Sequence, residues 1–343
     1  MSEWKEYKLG EVLTFQRGYD LPKGDMMDGP YPVAGSNGII GYHVKYTTKG
    51  PGITIGRSGN IGMAHYYPID FWAHNTTLYV KDFKGNEPKF IYYLLKTIDF
   101  SLFNTGSAVP SLNRNHVHEL VVSIPPLDEQ KRIAGVLSSL DDKIDLLHRE
   151  NATLEALAET LFRHYFIENP NPEWKEGKLG ELIEVKYGKD HKKLGDGSIP
   201  VIGSGGIMRY ADKALFDGES VLIPRKGSLD NVMYIDEPFW TVDTMFYTKM
   251  KKAHVAKFVY QFIKTLDLVN MNVGSAVPSM TTEVLNNVPL EIPSQTALDD
   301  YDRIVTPVYM KIKFNQQQMQ TLVTQRNTLL PRLMSGEVKV VVQ

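Results

Sequence analysis

An arginine at the mouth of a glycine turn is the first feature of this chain that could do chemistry, and it occurs twice. Arg57 in Ile55-Gly56-Arg57-Ser58-Gly59 and Arg225 in Ile223-Pro224-Arg225-Lys226-Gly227 each follow an apolar run. A guanidinium at such a tip can bridge a phosphate or grip guanine bidentately. It can equally support the turn or sit in an ion pair. Recurrence points to a shared task, phosphate contact or fold support, over the reading of one base. The common enzyme centres lack their patterns. With no cysteine, thiolate metal sites and cysteine catalysis are excluded. His116 and His118 lie one residue apart, which suits a surface turn better than a metal site. His74 is matched by Val242 in the second copy described below, so a shared catalytic histidine is not expected. There is no Walker A loop and no Asn/Asp-Pro-Pro-aromatic tetrapeptide; Asn169-Pro170-Asn171-Pro172 is a superficial echo. Glu129-Gln130-Lys131 has nuclease-like spacing, but the same spacing recurs at Glu3, Glu6 and Glu176, so it reads as chance on a charged helix end.

The second arginine belongs to a wholesale duplication. Glu3-Trp4-Lys5-Glu6 and Lys8-Leu9-Gly10-Glu11 return as Glu173-Trp174-Lys175-Glu176 and Lys178-Leu179-Gly180-Glu181, an offset of 170. Phe71-Trp72 returns as Phe239-Trp240, and Lys96-Thr97 as Lys264-Thr265, now at 168. Gly106-Ser107-Ala108-Val109-Pro110-Ser111 returns letter for letter as Gly274-Ser275-Ala276-Val277-Pro278-Ser279. Solenoid repeats run about 20–50 residues; these copies are domain-sized. Two similar but divergent domains imply two related tasks with different specificities.

Each copy reads as a mixed α/β part followed by one long helix. Strands are expected at Val33–Gly38, Gly52–Gly56 and Thr76–Val80, where β-branched and aromatic residues are bounded by Gly, Asn and Pro. A helix at Lys89–Lys96 has its counterpart at Lys257–Lys264, and a short helix near Arg114–Glu119 precedes a strand Leu120–Ile124. Apolar residues then fall at Ile133, Leu137, Leu140, Ile144, Leu147, Leu154, Ala158, Leu161 and Tyr165, with Asn151 completing the alternation of four and three. That is a heptad seam of a coiled coil, about 48 Å long at 1.5 Å per residue. Asn169-Pro170-Asn171-Pro172 should stop it. The second seam is Tyr301, Val305, Val308, Ile312, Asn315, Met319, Leu322, Arg326, Leu329 and Leu333. Thr306-Pro307 looks like an N-cap with proline at the first helical position, so this helix is expected to begin or kink there. Glu337–Val342 reads as a short strand.

If the two helices pack antiparallel about their seam centres, 149 and 317, facing residue numbers sum to 466. Ile144 then meets Leu322, Leu147 meets Met319, Leu154 meets Ile312, and polar Asn151 meets polar Asn315. Arg326 falls opposite Leu140 and is expected to extend its head to solvent. The fold class is therefore α+β: two repeated mixed domains separated by two long antiparallel coiled-coil helices, with pseudo-two-fold symmetry.

Composition is that of a soluble globular protein, 42% hydrophobic and 23% charged, with a net charge of −2. Acid is concentrated in the first long helix: residues 127–169 carry 5 basic and 9 acidic side chains. The globular parts are near neutral, which disfavours strong non-specific DNA binding without excluding a basic face. No apolar run approaches the roughly 20 residues of a membrane span. The polar, acidic opening Met1–Glu6 is unlike a secretory signal, and a cytoplasmic location is expected.

This layout resembles the specificity (S) subunit of type I restriction–modification systems over essentially the whole chain. The resemblance rests on Trp4…Lys8-Leu9-Gly10-Glu11 and its second copy, the Arg57–Gly62 loop, the Gly-Ser-Ala-Val-Pro-Ser turns, and Ile124-Pro125-Pro126-Leu127-Asp128-Glu129-Gln130-Lys131-Arg132-Ile133. The second copy departs at the helix entry, with Ile292-Pro293-Ser294-Gln295. The resemblance implies target-recognition domains at 1–126 and 169–294, spacer helices at 127–168 and 295–334, and a tail at 335–343. It implies that each domain reads half of a split DNA site in a prokaryote and that the chain is not itself an enzyme. Methyltransferase (M) subunits, two of them, would dock on the helices, and restriction/translocase (R) subunits would join that core. S-adenosylmethionine and ATP would be bound by the partners only. A non-nucleic-acid dimerisation scaffold and a stand-alone two-domain hydrolase are the competing readings.

The identical Gly-Ser-Ala-Val-Pro-Ser turns suit a structural role first and phosphate contact through Ser107 or Ser275 second. Base readers belong where the copies diverge: Arg17–Asp28, with Arg17 and Lys23, against Tyr187–Gly197, with Lys189, His191, Lys192 and Lys193; Asn60–His65 against Ser228–Met233, with Asn60 and Asn231; and Asn113-Arg114-Asn115 against Thr281-Thr282-Glu283. Asn37 and Lys226 complete the candidate set, and ordinary solvated charge is the competing reading for each.

Overall fold

The computed structural model describes residues 4–103, 111–226, 229–271 and 280–340, which fall into two units, 1–148 with 317–343 and 149–316. In the first unit the chain runs β1 (Lys5–Lys8), α1 (Leu9–Val12), β2 (Thr14–Arg17), β3 (Tyr31–Gly35), β4 (Gly38–His43), β5 (Gly52–Gly56), β6 (Ala64–Tyr67), β7 (Trp72–Ala73) and β8 (Thr77–Asp82). Then follow α2 (Pro88–Thr97), α3 (Arg114–His118), β9 (Val121–Ile124) and the long α4 (Leu127–Arg163). The second unit repeats the order: β10 (Lys175–Lys178), β11 (Ile183–Tyr187), β12 (Ile199–Gly203), β13 (Gly206–Ala211), β14 (Ser220–Pro224), β15 (Met233–Ile235), β16 (Trp240–Thr241) and β17 (Met245–Met250). It continues with α5 (Ala256–Lys264), α6 (Thr282–Asn286), β18 (Pro289–Ile292) and the long α7 (Gln295–Met334).

Both units build the same three sheets. The four-stranded sheet has order β2-β8-β5-β6 in the first and β11-β17-β14-β15 in the second. The three-stranded sheet has order β4-β3-β7 or β13-β12-β16, and the outer strands pair as β1-β9 or β10-β18. Strand β5 is buried along its whole length, which suits its small and β-branched sequence, Gly52-Ile53-Thr54-Ile55-Gly56. The hairpin from β3 to β4 turns at Ser36-Asn37, and Gly38 follows with φ +105°; Gly206 holds φ +104° at the matching place. That backbone favours glycine. The span Val33–Gly38, read in sequence as one strand, is therefore the end of β3 plus this turn.

Helix α2 is started by Glu87, whose carboxylate accepts from Lys89 N, with Pro88 at the first turn. It lays Phe90, Ile91, Leu94 and Leu95 on the inner face of the four-stranded sheet, among Phe15, Ile53, Ile55 and Leu78. One end of each long helix closes this core through Ile133, Leu137, Leu333 and Met334. In the second unit the opposite ends do the same through Ala158, Phe162, Leu298, Tyr301 and Val305. Among the described residues no helix is long and apolar enough to cross a membrane.

Within each unit the helix segments run antiparallel. In the first, Ile144 and Leu147 pack with Met319 and Leu322. In the second, Asn315 Nδ2 donates to Asn151 Oδ1 at 2.8 Å, and Asn151 Nδ2 donates to the Ile312 carbonyl at 3.3 Å.

Two sequence expectations are corrected and one alternative is excluded. Helix α7 does not start at Pro307: it begins at Gln295 and runs through Pro307 and Pro331. A proline inside a helix costs about 3 kcal/mol. The two turns before Pro307 bury Leu298, Tyr301 and Val305 completely; Leu298 and Val305 contribute about 1.5–3 kcal/mol each, so packing outweighs the missing hydrogen bond. Arg326 does not extend to solvent: Nη1 meets Asp141 Oδ1 at 2.6 Å, with the two side chains only 20% and 27% exposed. Residues 337–340 form no strand, and 341–342 lie outside the described residues. The chain reverses at Gly336 (φ +74°), and Val338 N donates back to the Arg332 carbonyl. Val338 and Val340 then pack on the core.

Candidate nucleic-acid interface

In the first unit the loops at one end of the four-stranded sheet converge around Arg57. Arg57 N donates to the Thr76 carbonyl at 2.8 Å, and Leu112 N donates to the Arg57 carbonyl. The guanidinium is half-buried: Nε donates to the Asn75 carbonyl at 3.0 Å and Nη1 to Ser111 Oγ at 3.3 Å. Burial, and then the neighbouring charge of Arg17, pull its pKa below the ordinary arginine value. Arg17 ends β2 and is exposed. The hairpin turn with Asn37 abuts the Arg57–Gly62 loop, since a Cβ on Gly59 would stand 3.5 Å from Ser36 Oγ. Arg17, Asn37, Arg57 and Asn60 thus come together at one edge, with Asn37 and Asn60 exposed.

Other candidates have other duties. Asn113 caps α3, its Oδ1 accepting from Asn115 N at 3.0 Å, whereas Arg114 is exposed. Lys23 lies on a 3-10 turn, Lys23–Asp25, whose continuation is tied by Met27 N to His43 Nδ1, at the end of β4 away from Asn37. Lys23 is therefore not brought to the Arg57 edge. His118, read from sequence as a surface residue, is half-buried; its Nε2 accepts from Phe15 N at 2.9 Å and its ring stacks on Phe15. Ser107 lies outside the described residues.

The second unit presents the equivalent edge with different side chains. Arg225 N donates to the Thr244 carbonyl at 2.9 Å, and Met280 N donates to the Arg225 carbonyl. Nη1 donates to the Asp243 carbonyl at 3.4 Å, and the guanidinium lies 5.2 Å from the centre of the Tyr187 ring. Asn231 Nδ2 donates to the Ser204 carbonyl at 2.5 Å, tying its loop to the hairpin turn. Lys226 is exposed beside Arg225. Lys189 is anchored by backbone: its N donates to the Thr241 carbonyl and its carbonyl accepts from Trp240 Nε1, and among the described residues its ammonium has no partner. Lys192 and Lys193 are exposed, and Lys192 N donates to Asp190 Oδ1. Ser275 lies outside the described residues.

Sequence reasoning missed Arg209. Its Nη2 donates to the carbonyls of His191 at 3.3 Å and Leu194 at 2.7 Å, so it shapes the basic 189–194 loop from β13. Its counterpart in the first unit is Gly41, so a gain of side chain at a repeat position was the available signal. The joint at Pro125–Gln130 also acquires a reason. Gln130 is buried; its Oε1 accepts from Glu87 N, and its Nε2 donates to Asn86 Oδ1 and the Pro125 carbonyl. The second unit lacks that glutamine; there Gln295 Nε2 donates to the Ala253 carbonyl. Among the described residues no cluster of three metal-ligating side chains occurs.

Two copies of one α+β unit, each with a fixed arginine among variable basic and amide side chains, define a duplicated recognition scaffold. The family model described as type I restriction modification DNA specificity domain matches residues 1–156 and again 171–322, and the chain belongs to that family. It is similar to the type I restriction enzyme MjaIX specificity subunit of Methanocaldococcus jannaschii, 26% identical over 75% of this chain and 70% of that one. It is also similar to the putative type I specificity subunit S.MpnORF507P of Mycoplasma pneumoniae, 22% identical over 89% of each. The crystal structure of a type I restriction–modification S subunit from M. genitalium shares the fold, with a TM-score of 0.69 at 18% identity over 100% of this chain and 97% of that one.

Proposed function

We propose that this chain is the DNA-reading specificity subunit of a type I restriction–modification complex, and that it carries no catalytic centre of its own. Each unit reads one half of a bipartite site with the loops around Arg57 or Arg225. The long helices set the gap between the half-sites and dock two M subunits; R subunits join that core. S-adenosylmethionine and ATP belong to the partners, and the complex works in the cytoplasm. The observation that carries this reading is the contrast within each loop edge. The arginine and its bond to a backbone carbonyl are common to both units, while the side chains beside it differ. A common grip with variable neighbours is what two readers of different sequences require, because phosphates are alike everywhere and base edges are not. The family membership and the named relatives support the same reading.

The test is a segment exchange. Replacing residues 170–294 by the matching segment of a relative, followed by methylation-sensitive sequencing of the host genome, should change one half-site and leave the other intact. A change in both halves refutes independent reading. Methyl transfer to DNA by the purified chain alone, given S-adenosylmethionine, refutes the non-catalytic assignment.

A further inference from the structure

The duplication places one variable position directly against the common arginine. Strand β8 is flanked by β2 and β5, and Leu78 is opposite Arg17 on one side and Ile55 on the other. In the second unit Phe246 is opposite Tyr187 on one side and Ile223 on the other. Residues 17 and 187 are therefore equivalent, and so are 57 and 225. The second unit displays the contact: the Tyr187 ring is the platform on which Arg225 rests. In the first unit the platform is replaced by a second guanidinium.

No carboxylate among the described residues pairs with Arg17 or Arg57. Besides burial, the Arg17 charge acts on Arg57 strongly enough to lower its pKa, and two like charges that interact without a counter-charge repel, a cost that an incoming anion removes. Among the described residues Arg57 spends two of its five N–H groups, on Asn75 and Ser111, and has three left to donate. Arg17 makes no side-chain bond among the described residues and is exposed. The second unit instead quenches one face of its arginine on an aromatic ring, and its position 187 brings no charge.

We propose that Arg17 and Arg57 act together on the phosphate backbone of the half-site read by the first unit, and that residue 17 or 187 sets the strength of that grip. At the paired positions 17 and 187 the first half-site is then held by one cation–phosphate contact that the second lacks, while the second has its own exposed cation, Lys226, where the first has Ser58. This rests on the DNA-reading function proposed above.

The experiment uses the full chain assembled with its M subunits, and measures DNA affinity by fluorescence anisotropy from 50 to 200 mM salt. Each phosphate contact contributes about 0.9 to the slope of log affinity against log salt. Arg17→Tyr should flatten the slope by about that amount and weaken binding to every sequence alike. The wild-type advantage should then shrink about 3.5-fold across the fourfold salt range. Tyr187→Arg should steepen the slope by a similar amount, a gain that misfolding does not produce. Unchanged slopes in both variants overturn the inference. Relaxation at one base position by Arg17→Tyr, with the slope intact, overturns it too, because Arg17 is then a base reader. A wild-type complex without sequence preference would sink the DNA-reading function itself, and this inference with it; a wild type with preference but unmoved slopes sinks the inference alone.

Discussion

Replacing Asn151 by leucine should cost the protein more than replacing Asn151 and Asn315 together. Asn315 is fully buried and Asn151 is 7% exposed, so neither amide has water as an alternative partner. In Asn151→Leu the Asn315 amide loses its only acceptor among the described residues, at 2.8 Å, and Asn315 Oδ1 has no donor among them. A buried polar group stripped of its partner costs about 1–3 kcal/mol. Asn315→Leu costs less, because Asn151 Nδ2 keeps the Ile312 carbonyl. The double leucine variant strands nothing and adds apolar burial worth about 1.5–3 kcal/mol per side chain if the seam accommodates it. The coupling term of the four-protein cycle should therefore be about 1–3 kcal/mol in favour of the double variant. Urea denaturation of the four proteins measures it. Additive single effects would refute the reasoning, since the two amides would then not depend on each other. The double variant should also lose register discipline, because the buried polar pair penalises a slipped seam and only the peripheral Arg326–Asp141 and Lys311–Glu150 contacts would remain among the described residues to resist slippage. The chain has no cysteine, so a pair introduced at Leu147 and Met319 reports register without background. Cross-linking between these sites should be uniform with the asparagines present and fall when both are leucine.

Arg326→Met should destabilise the first unit by about 1–3 kcal/mol, between the values for exposed and buried pairs, because among the described residues Asp141 then keeps only the Tyr93 hydroxyl at 2.7 Å; Asp141→Leu in the same chain should recover most of the loss in thermal denaturation. The bond from His254 Nδ1 to Asp299 at 2.9 Å raises the histidine pKa above its ordinary 6.5. Its contribution to stability is then fully present below 6.5 and lost as pH rises through the raised folded value, so His254→Gln should flatten the dependence of Tm on pH across that window. Inserting one heptad into each long helix adds about 10.5 Å of rise, room for up to about three base pairs at 3.4 Å each; methylome sequencing should return a longer spacer with both half-sites unchanged, and an unchanged spacer would refute the helices as a ruler.

The residues that form cores and seams were legible because periodicity alone places them. The helix read as Lys89–Lys96 is Pro88–Thr97, and the strand read as Gly52–Gly56 has those bounds. Facing seam residues follow from two sequence centres and one assumption of direction. What escaped the sequence was context. Pro307 carries a strong local signal to start a helix, and it lost to the burial of Leu298, Tyr301 and Val305 one and two turns earlier. Arg326 looked like a misfit against Leu140; its partner is the next residue, Asp141, whose carboxylate no periodicity argument would place. The amides of Asn113 and Asn231 look alike in sequence, yet one caps a helix and the other ties a loop to a hairpin turn. A short polar side chain can bond its own backbone neighbourhood or a distant one, and only the fold decides which.

The loop edges also explain why one arginine can stay while its surroundings change. Arg57 Nε donates to the carbonyl of Asn75, and Arg225 Nη1 donates to the carbonyl of Asp243. The acceptor is backbone in both, so exchanging asparagine for aspartate leaves the bond available. The main-chain bonds that fix each arginine, to Thr76 and to Thr244, are equally indifferent to side-chain identity. Residues 17 and 187 share this independence: each ends a strand whose register is set by main-chain pairing with β8 or β17. A side chain held by backbone can keep its place while its neighbours vary, and a neighbour held by backbone can vary without moving the arginine. That separation lets two copies of one scaffold vary the side chains around a common arginine without moving it.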